Sequence, residues 1–270
     1  MIAWTKYRLI YFAISAVFLS AGLFSLFKWG LNLGVDFTGG VVIEYQTAEG
    51  EMVNQRYAYE SDESAQKIRD DLKNSGSKEL RFEVVGPSIG PELIQKTYIA
   101  LVISATLILL WIAIQFKSIK FGFSAVLAMV HDSLILLGSF SLLGHFMGVE
   151  LDFLFVTAML TILSFSVHDT IVVYDRIREK QNKFDPKLGN DIENIANSAI
   201  SETMVRSLNN SFTIIFMLFA LVLLGGESIR WFAVALLIGT ISGTYSSPFV
   251  AVPLLVTWDR LIKKKTKQVN

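Results

Sequence analysis

The sequence predicts a polytopic α-helical membrane protein: six spanning helices, with one small α+β domain between the first and the second. Three observations carry this prediction. Of 270 residues, 52% are hydrophobic and only 18% charged. The apolar residues gather into several runs long enough, at about 1.5 Å per helical residue, to cross about 30 Å of hydrocarbon. One polar segment, 29–96, interrupts them, and Lys and Arg concentrate in alternate connections although the formal net charge is zero. That asymmetry sets the orientation.

The first span runs from about Leu9 to Phe27, within residues 1–28, and Lys6 and Arg8 precede it. It exceeds a signal-peptide h-region and has no small-x-small cleavage site before Lys28, so it reads as a retained helix with its N-terminus inside. Segment 29–96 is the α+β domain. Val41 to Tyr45 and Arg81 to Val85 are strand-like, Met52 to Tyr59 adds another strand, and Ser61 to Asn74 is a helix. Asp62 and Glu63 suit that helix's positive end, Ala65, Ile68 and Leu72 share one face, and Asn74-Ser75-Gly76 stops it. So small a domain is expected to lean on the bilayer surface or on a partner subunit.

Residues 97–174 hold the next three spans, about Tyr98–Gln115, Phe121–Leu143 and Leu151–Tyr174. Lys117 and Lys120 place the first connection inside, and His145 to Glu150, without Lys or Arg, lies outside. Residues 175–207, with six Lys or Arg, form an inner loop. In it Ile192, Ile195, Ala196, Ala199 and Ile200 make one apolar stripe on an otherwise polar helix, expected to lie on the inner membrane surface and feed the fifth span. The last two spans occupy 208–258, about Leu208–Leu224 and Trp231–Trp258, and the basic tail 259–270 puts both termini in the cytoplasm. Gly239 and Gly243, followed by Pro248 and Pro253, point to close helix packing and a kink.

Asp169 is the principal functional candidate. An aspartate at a helix centre costs roughly 2.5–3.5 kcal/mol on insertion scales, so it belongs in the bundle interior or a wet cavity. Thr157, Thr161, Ser164 and His168 share one face of the fourth span, while Arg206, Asn210 and Thr213 share one of the fifth. His131 and Asp132 lie near the middle of the third. Hydroxyls taken singly bond their own backbone or glue helices. The five ionisable groups His131, Asp132, His168, Asp169 and Arg206 are expected to converge, with Arg206 a fixed cation that holds Asp169 ionised until a proton arrives. The chemistry is proton relay coupled to movement. A membrane potential of roughly 150 mV does about 3.5 kcal/mol of work on one charge, a bias of a few hundredfold on a two-state element. The absence of cysteine excludes thiolate catalysis, disulfides and Cys-ligated metal. There is no P-loop, zinc-ligand spacing or nucleophile triad in the sequence, so bond-making enzyme activity, ATP use, cofactors, metals and nucleic acid are not expected.

Five stretches together carry a family resemblance: GVDFTGG at 34–40, VGPSIGPEL at 85–93, HDTIVVYDRIRE at 168–179, LLGG at 223–226 and GTYSSPF at 243–249. In this order they resemble the SecF branch of the SecD/SecF protein-export family. The resemblance implies six transmembrane helices related to the resistance-nodulation-division (RND) transporters and a periplasmic ferredoxin-like domain in the bacterial inner membrane. It implies pairing with SecD, often with YajC, at the SecYEG channel, with protons as coupling ion for late, SecA-independent translocation of a preprotein. Asp169 matches the family's proton-relay aspartate, Arg206 its arginine in the fifth helix, and His131-Asp132 a frequent HD pair. His168 departs from the usual Asn, and a histidine there extends the relay or shifts its working pH. Two alternatives stay open: a passive scaffold for the translocon, and half of a small-molecule efflux pump, against which the small outer domain argues.

Overall fold

Helices with unbroken apolar runs set the frame. The computed structural model describes residues 2–47, 49–86, 89–182 and 191–269. Pro87 and Ser88 of the VGPSIGPEL stretch, and 183–190 of the loop between the fourth and fifth spans, lie outside the described residues. A 3-10 turn, Trp4–Tyr7, leads into α1 (Arg8–Lys28), followed by α2 (Val35–Thr38), β1 (Gly40–Gln46), β2 (Met52–Tyr57), α3 (Asp62–Asn74) and β3 (Lys78–Val85). Then come α4 (Ile89–Phe116), α5 (Ile119–Met147), α6 (Phe153–Asn182), α7 (Ile192–Leu224), α8 (Glu227–Ser246), a π turn (Ser247–Ala251) and α9 (Val252–Val269). Six of the described helical stretches are long and apolar enough to span a bilayer, the sixth running across the π turn from Ser228 to Leu261. The protein is a multi-pass membrane protein.

The chain divides into two compact units. The smaller, residues 32–101 with 150–153, is the α+β domain. Its β-branched strand β1 is central and antiparallel to both neighbours, giving the order β2-β1-β3, with α3 linking the two edge strands. Ser61 caps α3 through the Ser64 amide at 3.1 Å, and the Ser64 hydroxyl accepts in return from the Ser61 amide at 3.0 Å. Val41, Ile43 and Ala65 form its core, with Ile68, Leu72 and Phe82 packed around them. The strands and helix fall where the sequence places them. Three strands and one long helix are described, in the order strand, strand, helix, strand.

In the same unit GVDFTGG is a buckle. The Gly34 amide donates to the Leu151 carbonyl at 2.7 Å, and a Cβ on Gly34 would sit 2.7 Å from that oxygen. Gly39 and Gly40 hold φ of +72° and +142°, values that side chains other than glycine's disfavour. Asp36 Oδ2 accepts at 2.7 Å from the amide of Phe153, the first residue of α6, and so supplies one of the acceptors that a helix start lacks.

In the larger unit, small residues bring helices into backbone contact. Gly22 of α1 faces Gly138 of α5, where a Cβ on Gly138 would lie 2.5 Å from the Gly22 Cα. Gly239 and Gly243 of α8 pack on Ile162 and Ser166 of α6. Where a kink is expected after them, the helix passes through the π turn, which carries Pro248.

Two elements differ from the sequence expectation. The helix of the fourth span does not stop at Tyr174: α6 continues to Asn182. The stripe Ile192, Ile195, Ala196, Ala199 and Ile200 is not a separate surface helix: it is the first part of the 33-residue α7, and all five residues are buried inside the protein. No Gly or Pro interrupts either helix, and their charged extensions satisfy one another. Glu202 pairs with Arg176 and with Lys180, the latter at 2.6 Å. The N-terminal turn is pinned to the same part of α7, with Thr5 bonded to Asn197 and the Trp4 indole donating to Ser201.

Candidate functional site

Helices α6, α7 and α8 contribute hydroxyls, and two carboxylates, on α5 and α6, sit among them. Asp169 on α6 is 4% exposed, and its Oδ2 accepts from the Ser207 hydroxyl of α7 at 2.8 Å. Asp132 on α5 is fully buried and better served. Ser242 of α8 donates to its Oδ1 at 2.6 Å, while Ser166 of α6 and Ser246 of α8 donate to Oδ2, each at 2.6 Å. His131 Nδ1 lies 3.0 Å from Oδ1. Ser242 and Ser246 stand one helical turn apart, so both reach the same carboxylate from one face. Gly243, between them, allows the approach, since its Cβ position is 3.3 Å from Ser166 Cα and 3.8 Å from Asp132 Oδ2.

The π turn is fastened to α6 beside these acids. The Ser247 hydroxyl lies 3.0 Å from that of Thr170, the residue after Asp169, and donates to the Ser166 carbonyl at 3.3 Å. At the other end of the turn, the fully buried Tyr174 hydroxyl donates to the Ala251 carbonyl at 3.2 Å and lies 2.7 Å from Ser124 Oγ. Tyr174 thus ties the last residue of the π turn to α6 and, through Ser124, to α5.

The expected convergence of five ionisable groups is met by only some of them. His131 and Asp132 touch each other, and Asp169 is buried against α7. Arg206 does not pair with Asp169: it is exposed and lines an open cleft with Asp175, Arg176 and Glu202. The reason is helical geometry. Consecutive residues point about 100° apart, so turning Ser207 inward to Asp169 turns Arg206 outward. His168 is likewise exposed while Asp169 beside it is buried. Among the described residues neither acid has a Lys or Arg partner.

The polar faces read from the sequence exist, but they line the outside of this chain. Thr157, Thr161, Ser164 and His168 are all exposed on α6, as are Arg206, Asn210 and Thr213 on α7. The serines that bind the two acids went unrecognised as ligands. The spacing of Ser242 and Ser246 was the available signal, but which carboxylate they meet depends on how α8 crosses α5 and α6.

Comparison with known proteins finds relatives of the chain as a whole. A family profile described as "Protein export membrane protein SecD/SecF, C-terminal" matches residues 66–261, and one described as "SecD/SecF GG Motif" matches 24–50. A relative from Thermobaculum terrenum, named protein translocase subunit SecF, is 37% identical over 96% of this chain and 94% of its own. Protein translocase subunit SecDF of Bacillus subtilis is 29% identical over 98% of this chain but only 39% of that longer one. Among solved structures, SecDF of Thermus thermophilus, described as a translocon-associated membrane protein, superposes with a TM-score of 0.83 at 29% identity, over 95% of this chain and 38% of that one. A super-membrane-facing form of SecDF gives 0.77 at 28% identity, over 99% and 40%. The chain thus spans about two fifths of the SecDF chains it matches.

Proposed function

This chain belongs to the SecD/SecF family of protein-export membrane proteins, and on that premise we propose that it acts as the SecF half of a SecDF complex that couples proton flow to protein export. The single observation that carries the proposal is Asp169: a carboxylate buried mid-helix in a spanning segment, held by one neutral hydroxyl and by no described cation. Gain or loss of a proton there changes the charge of the bundle interior by a full unit, which is costly to ignore in a low dielectric.

The exposed polar faces of α6 and α7 support a partner in the membrane, since polar groups at this depth normally face protein or water. The SecDF relatives are longer chains of which this one covers about two fifths, which supports a separate SecD as the partner we assign. SecYEG, YajC and the translocating preprotein complete the expected assembly. With both termini cytoplasmic, the α+β domain faces the periplasm and the basic connections face the inner surface. The complex acts late, after SecA-driven insertion.

Asp169→Asn tests this in inverted inner-membrane vesicles carrying SecD and the translocon. Export measured with ATP alone is expected to persist, and its stimulation by an imposed proton gradient to vanish, with SecD still co-purifying. Full stimulation in the variant removes Asp169 from the mechanism. The same exposed faces favour a second reading, a passive scaffold. Under it Asp169→Asn and Arg206→Met release SecD before any transport defect is seen.

A further inference from the structure

The hydrogen-bond count at Asp132 fits one protonation state of that residue. An ionised carboxylate offers about four acceptor sites and no donor. Here four are in use: Ser242 and His131 on Oδ1, Ser166 and Ser246 on Oδ2. His131 therefore donates through Nδ1–H, and its Nε2 is buried without a partner.

A proton placed on Oδ2 must itself be donated, so one of the two serines there has to send its hydrogen elsewhere. Ser246 has a second acceptor in place, the Gly243 carbonyl of its own helix at 3.3 Å. Ser246 is also the last residue of α8, directly before the π turn. The change of partner thus occurs at the joint between α8 and α9. The far side of that joint is tied by Ser247 to Thr170, next to Asp169.

We propose that Asp132 is a second proton-binding carboxylate and a positioning residue for the coupled movement, its protonation passed through Ser246 to the π turn. The assignment deepens the proton-driven reading above and rests on it. Loss or migration of a π turn shifts register by one residue, which turns the following helix by about 100°. The titratable groups around Asp132 are few. His131 faces it from its own helix, and Tyr245 of α8 stands beyond, its ring 6.5 Å from the imidazole and its hydroxyl donating to the Tyr11 carbonyl of α1. Asp169 lies one turn along α6 from Ser166 with its carboxylate on Ser207. The α1 and α7 side chains bonded to this part of α8 are the hydroxyls of Ser15 and Ser211.

The chain has no cysteine, so spin labels can be placed at Ile241 and Leu261, both exposed, about 30 Å apart along the helix axis. Electron–electron distance measurement on the full chain with SecD in nanodiscs reads the joint directly. The wild type is expected to show a distance distribution that shifts between pH 8 and pH 5. Asp132→Asn should hold the acid distribution at both pH values, and Ser246→Ala should abolish the shift. Asp169→Asn should retain the shift while losing gradient-stimulated export, which separates this inference from the one it rests on. A pH shift that survives unchanged in Ser246→Ala overturns the proposal even where Asp132→Asn does not fold, as does a wild-type pH response in a folded Asp132→Asn.

Discussion

The two glycines of the GxxxG pair are expected to differ sharply in what they tolerate. A Cβ on Gly239 would lie 2.2, 2.4 and 2.7 Å from Cδ1, Cγ1 and Cγ2 of Ile162, so no single rotation of that side chain clears it. A Cβ on Gly243 meets Ser166 Cα and Cβ at 3.3 and 3.4 Å, a tight contact that a shift of a few tenths of an ångström relieves. Gly239→Ala should therefore destabilise the bundle by about 1–3 kcal/mol, the usual cost of forcing a methyl into a packed interior. Gly243→Ala should cost less than Gly239→Ala, since its contacts are about 1 Å longer. The clash belongs to Ile162, so a double-mutant cycle identifies it. Ile162→Ala alone opens a cavity and should cost about 2–5 kcal/mol, but combined with Gly239→Ala it removes all three clashing atoms. The pair should be more stable than the sum of the singles by about 0.5–3 kcal/mol. Ile162→Val, which removes Cδ1 and leaves both Cγ atoms, should relieve only part. Reversible unfolding in mixed micelles, followed by tryptophan fluorescence, supplies the free energies. Equal costs for the two glycines, or additive behaviour of Gly239→Ala with Ile162→Ala, would refute this account of the α6–α8 contact.

Three further outcomes follow from the geometry. Asp36→Ala removes the acceptor at the start of α6 and should cost about 0.5–2 kcal/mol, as loss of a helix cap does; amide exchange at Phe153 to Val156 should speed up, and Asp36→Asn should spare it. Hydrogen bonds from Arg69, at 2.7 and 2.8 Å, hold the Glu79 carboxyl below the ordinary carboxylate range. A depressed folded-state value contributes stability above the unfolded value of about 4.3 and loses it as pH falls through the folded one. Exchange protection of α3 and β3 should accordingly decline in acid, and Glu79→Gln should remove that dependence. Tyr174→Phe leaves the Ala251 carbonyl without its side-chain donor, a change worth about 1–3 kcal/mol, and the lower melting temperature should come with faster exchange in the π turn; unaltered exchange there would mean the turn does not depend on α6.

The spans were legible because length and composition alone decide whether a helix can cross a bilayer. The α+β domain was legible because Ser61, the face of Ala65, Ile68 and Leu72, and the β-branched run at Val41 are local signals. Where α6 ends and α7 begins was not. Arg176, Lys180 and Glu202 lower the hydropathy and look like loop, yet they are partners across two continuous helices. The site was half legible. Asp169 and the His131-Asp132 pair announce themselves by charge in an apolar run, and both acids are buried. Their partners do not, because Ser166, Ser207, Ser242 and Ser246 look like any serines in a span. The pairing of Asp169 with Arg206 rested on depth alone, and rotation about the helix axis gave the place to Ser207.

Neutral partners also set the scale of movement that a proton can drive. A buried carboxylate paired with arginine resists separation by about 3–5 kcal/mol, as much as the roughly 3.5 kcal/mol that one proton delivers through roughly 150 mV. Serine hydroxyls donate or accept by rotation, and each net hydrogen bond is worth about 0.5–1.5 kcal/mol. The π turn is held to its neighbours through Ser246 on Asp132, Ser247 on Thr170 and Tyr174 on Ala251. One proton matches the energy of about two to seven such bonds, enough for the three that hold the turn. It falls far short of separating α9 from the bundle, where Val252, Leu255 and Val256 are fully buried and each contributes about 1.5–3 kcal/mol. Under the proton-driven reading, the motion is therefore a rearrangement of the α8–α9 joint over helices that stay packed.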